Sequence, residues 1–191
     1  KFHVGLPGSL GSCQLPFMTL SELADKVTIA YLVIHGAICW ISDVQIILPD
    51  VIGDSLYHAI YGLAGLDAVV DSWASGQGDF LVELKPLWFK TFIYAEMLIQ
   101  FPLICWLVPQ WIRRNGSNKV RTLSIVYAVH VSTTMVPIMP ELIAGMWREP
   151  RHVTLVAVVV YAVWVVCPLV MLTRCLASDP LWPVAAKVKS K

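Results

Sequence analysis

Two carboxylic acids stand inside otherwise apolar stretches: Asp43 in "ICWISDVQIIL" and Glu96 in "WFKTFIYAEMLIQFP". A charge in hydrocarbon is costly, so such residues face a partner or a cavity. Read as adjacent helices, the two stretches bring their acids to similar depth. Asp43 lies about 7 Å below the end of its stretch at Leu48, and Glu96 about 12 Å below Trp88, at 1.5 Å per helical residue. Two carboxyls so placed cannot both ionise cheaply, so they share a proton until a cation relieves the conflict. That chemistry suits an amphiphile with an amine or hydroxyl head. Gln100 follows Glu96 by one turn on the same face. Tyr127, His130 and Thr134 recur at i, i+3 and i+7, again on one face. Tyr161 and Trp164 offer an aromatic wall. The competing reading is architectural: Asp43 and Glu96 bond to His130, Tyr127 or Gln100 and hold helices together. His35 and Trp40 lie deeper on the stretch that carries Asp43, and His35 reads as a helix-interface histidine.

The elements that must position these groups are membrane spans. The chain has 191 residues, 57% hydrophobic and 14% charged, with a mean hydropathy of +0.68. Soluble domains carry about a quarter charged residues, so the composition describes an all-α polytopic membrane protein. A net charge of +1 leaves no basic stripe for nucleic acid. The five cysteines form no CxxC pair, which gives neither a disulfide framework nor a zinc site. No cofactor is implied beyond a bound sterol or other lipid.

Four stretches reach the length of about 20 residues that a span requires. They are residues 27–48, 88–108, 120–146 and 153–176. Thr19 and Glu22 have capping-box spacing ahead of the first. Pro137 and Pro140 allow a kink in the third. The fourth is rich in Val, but its length decides for helix. The chain then divides into an N-terminal extension (1–26), one four-helix domain (27–176) and a basic tail (177–191). An acidic loop (49–87) follows the first span, and its portion "DSLYHAIYGLAGLDAVVDSWA" has helical spacing until "SGQGD" breaks it. Gly62–Leu66 resembles no phosphate loop. Lys and Arg set the orientation: about ten lie on the side of both termini and "RRNGSNK", about four on the other, so the termini are expected inside.

The same residues carry a resemblance. "WFKTFIYAEMLIQFP", "VRTLSIVYAVHVSTTMVPIM" and "WISDVQIILP" resemble the EXPERA-domain family over residues 27–176. They are more similar to its sigma-2 receptor branch than to the emopamil-binding-protein branch, a sterol isomerase. The resemblance implies a four-helix bundle with a cavity opening into the bilayer, often as a homodimer in the endoplasmic reticulum. Its implied ligands are sterols and lipophilic amines. On motif match Asp43 pairs the ligand's amine, Glu96 is the second acid and Asp79 a supporting acid in the first loop. Tyr127, His130 and Thr134 also match, and Tyr161 and Trp164 align loosely. The isomerase branch carries a His four residues before its first acid; here that position is Cys39, and His35 stands one turn too early.

Three functions follow in order: a non-catalytic binder of sterols or lipophilic amines, an accessory subunit of a large organellar complex such as a mitochondrial respiratory-chain assembly, and a sterol double-bond isomerase. The partners are correspondingly membrane lipid or sterol, a second copy, or the subunits of a larger complex. Lys187 and Lys189 have the spacing of a dilysine retrieval signal, which favours the endoplasmic reticulum. A start at Lys1 fits a cleaved organellar presequence, which favours the mitochondrial inner membrane. "KFHVGLPGSLGSCQLPF" has no reason to order alone, so a neighbouring subunit is expected to hold it.

Overall fold

A computed structural model describes residues 19–148, 152–178 and 180–182. The N-terminal stretch to Met18, Arg151 and the dilysine-like Lys187 and Lys189 lie outside the described residues. Four helices are long and apolar enough to cross a membrane: Leu20–Ile52, Leu87–Ile112, Asn118–Gly145 and Leu155–Leu176. No strand occurs among the described residues.

The first of these helices starts seven residues earlier than hydropathy alone implies, because Thr19 closes a capping box. Glu22 N–H donates to Thr19 Oγ1 at 3.2 Å, and Thr19 N–H donates to Glu22 Oε2 at 3.0 Å. Residues 20–26, read from the sequence as part of an extension, are therefore the first turns of the bundle. The helix runs as α1 (Leu20–Ile38), a π-helical turn (Cys39–Asp43) and α2 (Val44–Ile52). The second long helix has the same construction: α6 (Leu87–Ala95), a π turn (Glu96–Gln100) and α7 (Phe101–Ile112). Such turns insert one extra residue per turn and cluster at functional sites. Both intramembrane acids sit at one end of such a turn.

The third and fourth long helices, α8 (Asn118–Gly145) and α9 (Leu155–Leu176), start on side-chain caps from Ser117 and Thr154. They pack antiparallel along much of their length, and α8 continues through Pro137 and Pro140. Leu98, Val136, Val156, Val159 and Val166 point outward. That is the expected arrangement when lipid is the solvent and helices meet through packing and polar contacts. Gly36 lets α1 close on α7: an added methyl there would sit 3.0 Å from Ile104 Cγ2.

Each end of the bundle is fastened by buried polar contacts. At the end where α1 begins and α9 finishes, Arg174 Nε donates to Asp25 Oδ1 at 2.8 Å, and Trp182 Nε1 donates to Asp25 Oδ2 at 2.9 Å. Trp182 also meets the edge of buried Trp111, with ring centroids 4.9 Å apart. The first residues of the supposed tail therefore fold back into the core. At the other end, the loop forms α3 (Asp54–Tyr57), a π turn (His58–Gly62), α4 (Leu66–Gln77) and α5 (Phe80–Leu84). The helical pattern survives "SGQ" and breaks at Gly78, whose φ is +63°. Thr154 N–H donates to Gln77 O at 2.9 Å, which ties the loop to the start of α9.

Gly78 is required twice over. Its positive φ disfavours a side chain, and a Cβ there would collide with the carbonyl of His152. Gly78→Ala is expected to destabilise the protein by more than about 1 kcal/mol, read as a lowered midpoint of thermal unfolding in detergent. An unchanged midpoint would mean that the loop is not fastened as described.

Candidate functional site

The interior between the two fastened ends contains a chain of polar contacts centred on His35. His35 is fully buried, and its Nε2 lies 2.6 Å from Glu96 Oε1. Its Nδ1 lies 2.5 Å from Tyr127 Oη and 3.1 Å from Tyr31 Oη. The thiol of Cys39 donates to the same Glu96 oxygen at 3.2 Å. Trp164 stands edge-on to the imidazole at 5.8 Å between ring centroids. Glu96, at 9% exposure, therefore has its negative charge met by an imidazole N–H and a thiol. Such charge-assisted hydrogen bonds are what a buried carboxylate needs.

The sequence reading left His35 as a helix-interface residue and offered Glu96 the side chains of His130, Tyr127 or Gln100. Geometry makes a different assignment. Glu96 takes His35, Tyr127 supports it through that histidine, and His130 is engaged elsewhere by Gln100 Nε2, which donates to its Nδ1 at 3.0 Å. The π turn explains how His35 reaches so far. Eight residues separate His35 from Asp43, which would put them about 80° apart on a regular helix. A π turn absorbs one residue, so the pair is effectively two turns apart and shares a face.

Glu96 and Asp43 line one cavity of about 300 Å³, bounded by the π turns Cys39–Asp43 and Glu96–Gln100 and by residues of α1, α2, α4, α5, α6, α8 and α9. Its walls are apolar, with Ile46, Phe89, Phe92, Ile93 and Met135 among them. Its polar lining comes from Ser42, Asp43, Glu96, Gln100, Thr134 and Tyr161, and Trp164 completes the wall. Of the residues named from the sequence, Asp43, Glu96, Gln100, Thr134, Tyr161 and Trp164 reach the cavity. Tyr127 and His130 stand behind it. Asp43 forms no ion pair among the described residues.

Asp79 closes the loop end of this cavity without entering it. It is completely buried, caps α5 through Val82 N–H at 3.3 Å, and accepts from Trp73 Nε1 at 3.0 Å and Tyr161 Oη at 2.8 Å. Trp73 and Tyr161 are themselves cavity walls, so Asp79 sets the orientation of two rings that any occupant would touch.

The family model described as EXPERA (EXPanded EBP superfamily) matches residues 66–175, more than half of the chain. The chain belongs to the EXPERA family. Among its relatives, the Homo sapiens protein named sigma intracellular receptor 2 is 32% identical over 124 residues, covering 59% of this chain and 69% of that protein. The Xenopus tropicalis protein of the same name is 25% identical over 165 residues, covering 83% of this chain and 91% of its own length. The stretch matched by the family model contains Asp79, Glu96, Gln100, Tyr127, His130, Thr134, Tyr161 and Trp164. His35, Cys39 and Asp43 precede it.

Coupling between His35 and Glu96 is measurable. His35→Ala and Glu96→Gln are each expected to destabilise the protein, and the double variant to lose less than their sum, by about 0.5–3 kcal/mol. Denaturant titration of the four proteins in mixed micelles reads that difference. Additive losses would show that the two side chains do not interact.

Proposed function

We propose that this EXPERA-family protein binds a sterol or lipophilic amine without catalysis, with the polar head at Asp43 and Glu96 and the hydrocarbon body against the apolar wall. The observation that carries this reading is the cavity itself: an apolar space of about 300 Å³ whose polar lining includes two acids in different electrostatic conditions. Small-molecule sites combine apolar walls with a few placed polar groups in this way. Glu96 already has a partner in His35, whereas Asp43 has no cation among the described residues. A ligand ammonium therefore pairs with Asp43, and Glu96 and Gln100 supply nearby hydrogen-bonding oxygens. The receptor name of the relatives agrees with a binding role.

One observation favours a second reading, sterol double-bond isomerisation. A histidine does contact the second acid, although it arrives from one turn earlier than the isomerase pattern places it. Proton removal at one carbon and delivery at another needs such an acid–base pair beside the substrate. An accessory role in a larger membrane assembly, or a homodimer, uses the same pocket for a resident lipid. Residence in the endoplasmic reticulum follows from the binding reading, and residence in the mitochondrial inner membrane from the assembly reading. In both, the termini lie on the inner face, as the Lys and Arg bias indicates.

Titrating the purified chain with a lipophilic tertiary amine tests the binding role. Asp43→Asn is expected to weaken the amine by about 10-fold to 100-fold, the loss of a hydrogen bond to a charged group. A neutral sterol is expected to lose less. Unchanged amine affinity in both Asp43→Asn and Glu96→Gln would overturn the assignment. Double-bond migration in an added sterol, abolished by Glu96→Gln, would replace it with the isomerase.

A further inference from the structure

His35, Cys39 and Glu96 are more than a set of hydrogen bonds. Their Nε2, Sγ and carboxylate oxygen atoms all lie within 4.8 Å of one another, and all three residues are buried. From these residues we infer a binding site for a divalent transition-metal ion of borderline softness, Zn²⁺ or Co²⁺. One nitrogen, one thiolate and one carboxylate oxygen form a donor set suited to such ions and less so to Mg²⁺ or Ca²⁺, which favour oxygen alone.

The geometry needs only a small expansion. Donors around a tetrahedral ion stand roughly 3.3–3.7 Å apart for bonds of about 2.0–2.3 Å. Here the nitrogen–oxygen separation is 2.6 Å and the sulfur–oxygen separation 3.2 Å. Glu96 lines the cavity, so its side chain has space on that side and the cavity offers an entry path to it. The imidazole is already held from behind. Tyr127 Oη and Tyr31 Oη both approach Nδ1, the kind of outer contact that fixes a metal-binding histidine's tautomer and ring plane.

A carboxylate and a thiolate among the three donors would balance a dication's charge, and metal binding would release protons from the ligand atoms. His35 and Cys39 lie one turn apart on a single helix, while Glu96 comes from another. That is why cysteine spacing alone does not reveal the site.

The test uses the full chain in mild detergent, stripped with chelator and titrated with Co²⁺. The expected result is one ion per chain, a thiolate-to-cobalt charge-transfer band in the near ultraviolet, and displacement of that band by Zn²⁺. Cys39→Ser keeps a hydrogen-bond donor toward Glu96 and should retain wild-type helicity by circular dichroism while losing the band. Glu96→Gln should weaken Co²⁺ by more than about 100-fold and Tyr127→Phe by about 10-fold, since outer contacts cost less than ligands. Cys105→Ala and Cys167→Ala should keep the band. A folded wild type that binds no Co²⁺, or a band that survives Cys39→Ser, would overturn the site. Neither result depends on an amphiphile, so both are separable from the sterol or amine reading.

Discussion

Placing a carboxylate at Glu96 inside a membrane-spanning helix imposes one requirement that the surrounding structure meets: the charge needs a partner at the same depth. His35 is that partner, and several otherwise unrelated features follow from it. The π turn at Cys39–Asp43 changes the angular register between His35, which meets Glu96, and Asp43, which lines the cavity. Tyr31 and Tyr127 occupy the far nitrogen of the imidazole, and Trp164 packs against its edge. Removing one member of a buried charged pair leaves the other uncompensated, a cost of about 3–5 kcal/mol. The pair thus fixes the relative rotation of the first two long helices, which hydropathy leaves undetermined.

The two ends of the bundle make the space between them persistent. Asp25, Arg174 and Trp182 join α1, α9 and the segment beyond α9. Asp79 joins α4, α5 and α9 through Trp73 and Tyr161. Each anchor is a buried acid whose oxygens are hydrogen-bonded to donors from other elements, so neither end depends on apolar packing alone. Between them, Asp43 is an acid that faces open space without an ion pair among the described residues. Two acids are bound into the frame, one is paired to histidine, and one is left to meet an occupant.

Much of this was legible from residue type. Apolar runs of span length marked four helices, although the first was started at residue 27 and the capping box of Thr19 and Glu22 begins it at Leu20. The depth argument placed Asp43 and Glu96 together, and both line the cavity. Helical spacing grouped Tyr127, His130 and Thr134, yet the structure separates their contacts among His35, Gln100 and the cavity, because a shared face still spans about 5 Å per turn. His35 was read as a helix-interface histidine, and its contact with Glu96 depends on the relative rotation of two helices, which hydropathy does not give. Asp79 entered the sequence reading only as a supporting acid implied by the resemblance, and the structure makes it the buried N-cap of α5.

The central claim is that an amphiphile's cationic head enters the cavity beside Asp43 and Glu96. A lipophilic tertiary amine bearing a diazirine, irradiated with the full chain in lipid nanodiscs and mapped by peptide mass spectrometry, tests it most directly. The account predicts covalent adducts confined to cavity-lining residues, chiefly in the segments 38–46, 89–100, 131–138 and 160–164, suppressed by an excess of unlabelled amine. Adducts distributed over the outward residues Val156, Val159 and Val166, and indifferent to competition, would contradict it.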